Sequence, residues 1–231
     1  MRHRRLSAAP GTAFRYTNIG YWLLGEVIQT VSGKPFTTYV AEHILQPLGA
    51  APHELGYGIV SPRDHARGYL EKYSFFNLGK RLLVDAAFIG SCSGRWLEIL
   101  PHFVNGSAFG GLVGNVSGIG RFLQDQLRPQ SSILGDLGRR EFYQQQRTDD
   151  GTLVPMSLGW HVGAVNGQRC YFKEGGGGGF HCLMRLYPEP GIATVVMSNA
   201  TQFDVRGLLD TTDAAILAGA DPMNAIASRV S

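Results

Sequence analysis

The hydrophobic period changes near residue 150, and this change constrains the fold more than any other feature of the sequence. Before it, apolar residues recur every three or four positions, which is the spacing of one face of an amphipathic helix. After it, short apolar-rich runs are bounded by glycine and proline, which is typical of strands. Helices therefore come first and successive strands follow. This order predicts an α+β fold with an antiparallel sheet, because no βαβ alternation suggests a parallel one.

Four strands and four helices follow from this pattern. The predicted strands are Leu153–Val165, Arg169–Glu174, Phe180–Tyr187 and Gly191–Ser198, with a hairpin turn between the last two. The predicted helices run from an N-cap at Asn18 to a break at Ser32–Lys34, from Pro35 to Pro47, from about Leu112 to Leu127, and over Asp204–Ala218. We therefore expect a mainly helical region over 1–150 and an antiparallel sheet with a C-terminal helix over 151–231.

Composition excludes several classes of protein. With 44% hydrophobic and 17% charged residues among 231, the chain is neither disordered nor a coiled coil. Its net charge of +3 is too small to predict a nucleic-acid partner. Apolar runs such as Ile192–Met197 are far shorter than the ~18 residues needed to span a bilayer. Cys92, Cys170 and Cys182 give no disulfide framework, so we expect reduced, buried thiols.

Tyr16-Thr17-Asn18 stands at the start of the first predicted helix. A tyrosine can act as a base when neighbouring cations lower its pKa. An asparagine two residues further on can donate its amide to a substrate carbonyl. Taken alone, the same three residues are equally typical of a helix cap with no catalytic role.

Lys173-Glu174-Gly175 is followed by four more glycines and Phe180. A lysine at a strand edge offers a cation to an anionic substrate group. Bare glycine backbone lets a ligand approach, and its N–H groups can stabilise an oxyanion. A phosphate-binding loop would need a helix next, whereas a strand pattern follows. The structural alternative is a flexible glycine hairpin.

Together these segments resemble the serine β-lactamase-like family, which includes class C β-lactamases, penicillin-binding proteins, D-stereospecific peptidases and related esterases. The matching segments, in order, are Tyr16-Thr17-Asn18, Pro47-Leu48-Gly49, Gly110-Gly111-Leu112-Val113, Lys173-Glu174-Gly175 with Gly179-Phe180, and the closing hairpin 188–199. The resemblance covers most of the chain except about 51–105. It implies a β-lactamase/transpeptidase-like fold and acyl transfer on a β-lactam, a D-amino-acid peptide or a small ester.

The resemblance also implies the site residues. Tyr16, Asn18 and Lys173 would be catalytic, and Gly175 and Gly176 would bind substrate in a shared cleft. If so, the polar ends of Tyr16 and Lys173 lie within about 10 Å, close enough to interact at a ~10 Å screening length. No histidine spacing predicts a metal site, and no cofactor is predicted. The expected partner is a small-molecule or peptide substrate.

The chain departs from the family at the nucleophile. The family's attacking serine belongs to a Ser-x-x-Lys box upstream of Tyr-x-Asn, but none of the serines here has lysine three positions on. We therefore expect one N-terminally incomplete β-lactamase-like domain over 1–231. Three explanations stay open: the box is encoded upstream, the chain is a pseudoenzyme or non-catalytic binding module, or another nucleophile acts. Gly90-Ser91-Cys92-Ser93-Gly94 has the form of a nucleophile elbow centred on Cys92.

Two further expectations depend on this departure. No secretion signal follows Met1, so the chain is cytoplasmic if Met1 is the true start, and periplasmic or secreted if a segment precedes it. An incomplete domain exposes a strand edge and an apolar face, which promote association. We therefore predict self-association or aggregation of the chain.

Overall fold

The computed structural model describes residues 8–72, 86–103 and 105–230, and it confirms the α+β class. The helices are α1 Asn18–Ser32, α2 Phe36–Val40, α3 Val116–Leu127, α4 Asp136–Tyr143, α5 Val205–Leu217 and α6 Pro222–Val230. A π-helical turn over Ala41–Leu45 extends α2, and a 3₁₀ turn covers Ala86–Phe88. The strands are β1 Leu55–Gly56, β2 Gly68–Glu71, β3 Ile89–Ser93, β4 Trp96–Ile99, β5 Val113–Gly114, β6 His161–Val165, β7 Gln168–Gly177, β8 Phe180–Tyr187 and β9 Ile192–Ser198.

The main sheet is an antiparallel meander in the order β6-β7-β8-β9. Since side chains alternate across a strand, β8 sends Leu183 to one face and Leu186 to the other, and both are fully buried. Leu186 packs with Leu123 of α3, and Leu183 packs with Val205 and Leu209 of α5. Helices thus cover both faces of the sheet that carries the candidate site.

A buried ionic network ties β8 to α5. The Arg185 guanidinium donates to Asp213 Oδ2 at 2.9 Å and to Asp210 Oδ1 at 2.5 Å, and the Tyr187 hydroxyl donates to Asp213 Oδ2 at 2.6 Å. Burial alone would lower the pKa of Arg185, but the hydrogen bonds to two carboxylates outweigh it and raise that pKa. Burial, followed by the hydrogen bond to Asp213, raises the pKa of Tyr187. Arg185 is therefore a permanent cation between β8 and α5.

The first predicted strand is shorter than expected. Of Leu153–Val165, only His161–Val165 forms a strand. Pro155 has no N–H to donate to a ladder, and Gly159 has a φ of 98°, which interrupts the pleat. The next strand, β7, reaches Gly177, three residues beyond its predicted end at Glu174. The candidate glycines therefore belong to a strand.

The segment between 51 and 114, for which the sequence predicted little, contains short strands. A three-stranded antiparallel sheet has the order β2-β4-β3, and β1 pairs with β5. Cys92 lies in β3 opposite Leu97, in a hairpin whose turn leads to another strand. The elbow interpretation is wrong, because a nucleophile elbow joins a strand to a helix. All three cysteines are free, and only Cys170 is buried as expected, since Cys182 is half-buried and Cys92 is exposed.

Helix α1 presents much of its apolar surface to solvent. Its predicted apolar stripe, which consists of Ile19, Trp22, Leu23, Val27 and Val31, is exposed, with Val31 at 83%. Gly25 is the residue of α1 that is buried. In the part of the chain that the structure describes, β9 also pairs on one side only. Apolar patches and open strand edges are typical sites of association.

We expect the purified chain to form oligomers at concentrations where the double variant Val27→Lys/Val31→Lys is monomeric. Two like charges on the apolar surface of α1 oppose its burial against another copy. Light scattering coupled to size-exclusion chromatography measures the mass of each species. Leu137→Lys is the control, because Leu137 is 71% exposed on the polar helix α4. A concentration-independent wild-type monomer would contradict this prediction.

Candidate active site

The N-terminus of α1 places Tyr16 in an extended segment directly before the helix. The N-cap is Thr17, whose side chain accepts a hydrogen bond from the Ile19 N–H at 3.2 Å. Thr17 has extended backbone angles of −152° and 133°, as N-cap residues usually do. The predicted cap at Asn18 is therefore wrong by one residue. Asn18 is instead the first helical residue, and it is exposed.

Lys173 of β7 contacts Tyr16 directly. Its Nζ donates to the Tyr16 hydroxyl at 3.2 Å and lies 4.5 Å from the centre of the Tyr16 ring. The expectation that these polar ends lie within about 10 Å is confirmed. The sheet and the entry to α1 thus bring together two residues that are 157 positions apart.

The Lys173 ammonium has no carboxylate partner among the described residues. The neighbouring carboxylate, Glu174, alternates to the other face of β7. There it accepts from His181 Nε2 at 2.9 Å and pairs with Arg206 of α5. Lys173 therefore keeps its positive charge available beside Tyr16.

Gly175 and Gly176 lie on an open edge next to Lys173. They pair with Cys182 and His181 of β8, and both glycines are exposed. On the other side, β6 ends opposite Phe172, so within the described residues no strand pairs with 173–177 there. Backbone N–H and C=O groups of this segment can therefore bond a ligand that lies along the edge.

Tertiary hydrogen bonds hold the glycine hairpin. Gly178 and Gly179 form its turn with φ values of 57° and 91°. The Gly179 carbonyl accepts from the Tyr69 N–H at 3.0 Å, and the Gly179 N–H donates to Thr201 Oγ1 at 3.0 Å. A Cβ on Gly179 would lie 2.5 Å from the backbone of Gly68. Glycine is required there because β2 packs directly on the turn.

Asn18 stays apart from this contact. No hydrogen bond within the described part of the chain joins it to Lys173 or to the glycines. Nor does any hydrogen bond there join a serine, threonine or cysteine to Tyr16 or Lys173. The structure therefore brings Tyr16 and Lys173 together beside the glycine edge. Asn18 is two positions after Tyr16 in the sequence, and its side chain is exposed.

Two aromatic neighbours of Tyr16 were not predicted from the sequence. The Tyr21 ring lies 5.9 Å from it, and the His161 ring lies 6.0 Å from it. Burial, and then the nearby Tyr16, raises the pKa of Tyr21, which keeps that phenol neutral. Counting the β6–β7 hairpin back from its turn would have placed His161 opposite Phe172, one residue before Lys173. That register is the signal that could have found it.

Two kinds of feature are absent from residues 8–72, 86–103 and 105–230. No three His, Cys, Asp or Glu side chains there are grouped to hold a metal ion. None of the helices described is both long and apolar enough to cross a membrane.

Two sequence relatives with longer chains carry the names of hydrolases. The chain is 29% identical over 205 residues to the D-alanyl-D-alanine-carboxypeptidase/endopeptidase AmpH of Escherichia coli, covering 84% of this chain and 47% of that protein. It is 23% identical over 208 residues to an unguisins hydrolase of Aspergillus campestris, covering 87% and 36%. The chain thus spans between a third and a half of the length of these curated relatives.

Solved structures show the same fold. An octameric penicillin-binding protein homologue from Pyrococcus abyssi has a TM-score of 0.69 at 23% identity, covering 93% of this chain and 45% of that one. A D-amino acid amidase from Ochrobactrum anthropi has a TM-score of 0.61 at 22% identity, covering 81% and 51%. The Beta-lactamase family model matches residues 1–218. Since that match includes both the Tyr16 segment and the Lys173 strand, this chain belongs to the Beta-lactamase family.

Proposed function

We propose that this chain forms the tyrosine, lysine and glycine-edge part of an acyl-transfer site for D-amino-acid peptides. The observation that carries the proposal is the 3.2 Å hydrogen bond from Lys173 to Tyr16 beside an unpaired strand edge. Because no serine among the 231 residues has lysine three positions on, the attacking serine would come from outside this sequence.

Each residue has a role in this proposal. The Lys173 ammonium favours negative charge that develops on the Tyr16 oxygen, so Tyr16 can pass a proton between nucleophile and leaving group. Successive N–H groups along a strand point to opposite edges, so the one N–H of the Gly175–Gly176 segment that faces the open edge would donate to the substrate carbonyl as it becomes an oxyanion. The exposed Asn18 amide would donate to a substrate carbonyl.

The free charge on Lys173 favours a substrate with a carboxylate. Two relatives, a D-alanyl-D-alanine-carboxypeptidase/endopeptidase and a D-amino acid amidase, act by their names on D-amino-acid compounds. A peptide ending in D-alanine places a carboxylate close to the scissile amide, so it suits a site with a cation beside the glycine edge. β-Lactams and small esters remain the other substrate classes of the proposal.

Binding of a D-alanyl-D-alanine peptide should weaken at least about tenfold in Lys173→Ala. A hydrogen bond to a charged group contributes about 1.5–3 kcal/mol, and about 1.4 kcal/mol corresponds to tenfold in affinity. NMR titration should show the amide signals of Gly175 and Gly176 moving as peptide is added. This measurement needs no nucleophile.

Lys34→Ala is the matched control for that titration. It removes the same charge from a lysine that pairs with Glu42 in the helical region, and it should leave the affinity unchanged. The L-alanyl-L-alanine peptide tests the stereochemistry. Equal affinity of wild type and Lys173→Ala, or no movement of the two glycine signals at millimolar peptide, would contradict the proposed function.

The second candidate is a non-catalytic binding module or pseudoenzyme of the same fold. The absence of Ser-x-x-Lys from the 231 residues favours it. Both candidates bind the peptide at the glycine edge, so the coding sequence upstream of Met1 distinguishes them. An in-frame Ser-x-x-Lys there supports the hydrolase, whereas its absence together with peptide binding supports the binding module.

A further inference from the structure

His161 occupies a position between the sheet and the Tyr16 segment. It is the first residue of β6 and lies opposite Phe172 in the ladder. Its ring stacks on Phe172 at 5.1 Å with an interplanar angle of 21°, and on Tyr16 at 6.0 Å with an angle of 29°. His161 therefore contacts both the core side of β7 and the tyrosine of the candidate site.

The Tyr16 ring is contacted by the rings of Tyr21 and His161 and by the Lys173 ammonium. Tyr16 is 49% exposed and lies in an extended segment rather than in a helix. Its other ring neighbour, Tyr21, is tilted by 46° to it, so that pair is not a stack. Of these two neighbours, only His161 has a ring close to parallel with the phenol, and His161 is itself stacked on Phe172.

Charged groups surround His161 on several elements. Lys173 and Glu174 approach from β7, and Arg206 approaches from α5, where its guanidinium lies 5.5 Å from the centre of the Phe172 ring. Tyr16 and Tyr21 are the titratable groups on the α1 side. Burial lowers the pKa of His161 first, the cations Lys173 and Arg206 lower it further, and Glu174 opposes them. The imidazole is thus neutral at pH 7.

We propose that His161 is a positioning residue for Tyr16, holding the phenol in the plane that receives the Lys173 hydrogen bond. Protonation of His161 places a second positive charge beside the Lys173–Tyr16 pair and repels the ammonium. The site is then organised above the pKa of His161 and disturbed below it. A catalytic effect of His161 rests on the proposed function, whereas its stacking on Tyr16 and the Lys173–Tyr16 hydrogen bond do not.

Carbon-13 NMR of protein labelled at the tyrosine Cζ carbon tests the proposal directly. The Tyr16 signal is assigned by its loss in Tyr16→Phe, and it is followed between about pH 4.5 and 8, the range in which histidines titrate. In the wild type we expect the signal to shift with a midpoint below about 6.5, the ordinary pKa of histidine. His161→Phe keeps an aromatic ring and should abolish that inflection.

Two further variants distinguish the effect of the stacked His161 ring on the Tyr16 signal from the effect of the His161 charge. His161→Ala should move the Tyr16 signal toward that of a solvent-exposed tyrosine at every pH, because the stacked ring is lost. His43→Phe is the matched control, since His43 packs on Tyr39 at 4.3 Å in the helical region. It should leave both the position and the titration of the Tyr16 signal unchanged.

A wild-type Tyr16 signal without an inflection, or the same inflection in His161→Phe, would overturn the inference. These results do not depend on substrate. Failure of the proposed function would appear instead as unchanged Gly175 and Gly176 signals on addition of peptide, with the His161-linked inflection intact. If His161→Ala does not fold, the comparison of wild type with His161→Phe still decides the question.

Discussion

Purified protein of residues 1–231 is expected to turn over neither a chromogenic cephalosporin nor a p-nitrophenyl ester at enzyme rates. Covalent acyl transfer needs an activated attacking group, and no Ser-x-x-Lys is present. Removing the serine of a well-studied serine hydrolase lowers kcat by about 10⁶, which is about 8 kcal/mol at about 1.36 kcal/mol per decade. Binding and oxyanion donors can retain ~10³–10⁴ over water, which is too slow for either assay.

Intact-mass measurement after incubation with each substrate provides the second readout, and no acyl adduct is expected. Cys92→Ala is the informative control, because Cys92 is the exposed thiol among the three cysteines. Turnover or an adduct that this variant abolishes would make Cys92 a nucleophile despite its place in a hairpin. Turnover that survives Cys92→Ala but falls in Tyr16→Phe would show that another residue attacks.

Replacing Asp213 by alanine should lower the free energy of unfolding by about 3–5 kcal/mol, because it leaves the Arg185 charge buried without its inner partner. The Asp213 side chain is 0% exposed, and its Oδ2 accepts from both Arg185 and Tyr187. Among the described residues its Oδ1 has no hydrogen-bond partner, so within them the carboxylate depends on those two donors. Urea denaturation measures the change, with fluorescence and circular dichroism as independent probes.

Asp210→Ala is the matched control, because Asp210 bonds the same guanidinium from a side chain that is 58% exposed. Its loss should cost about 0–1 kcal/mol, as is usual for an exposed ion pair. If Asp213→Ala does not fold, Tyr187→Phe removes one charge-assisted hydrogen bond and should cost about 1.5–3 kcal/mol. Similar effects of Asp213→Ala and Asp210→Ala would contradict the assignment of the buried carboxylate as the main partner.

Local pattern was sufficient to predict several elements. Strand β8 has its predicted bounds, Phe180–Tyr187, because the apolar-rich run ends at glycine on one side and proline on the other. The first helix ends at Ser32 because Gly33 adopts a φ of 68°, the left-handed conformation that stops a helix. These signals lie within a few residues of the feature that they determine.

Other features depended on contacts that the local pattern does not contain. The strands between 55 and 114 have two to five residues each, too few to show a period, and β1, β2 and β5 form by pairing with partners distant in the sequence. The apolar residues of α1 recur at helical spacing, and the side chains of this stripe are exposed. A helix pattern states which face is apolar but not whether another element covers that face.

The sequence by itself determined the order of helices and strands, the Tyr16 and Lys173 motifs, and the absence of Ser-x-x-Lys. Only the tertiary structure decided that Lys173 donates to Tyr16 while Glu174 turns away to His181 and Arg206. It also placed His161 against Tyr16, through the register of the β6–β7 hairpin. The physical reason is that sequence spacing specifies which side chains share a face of one element. Which faces meet across 157 residues is decided by how the sheet and helices pack.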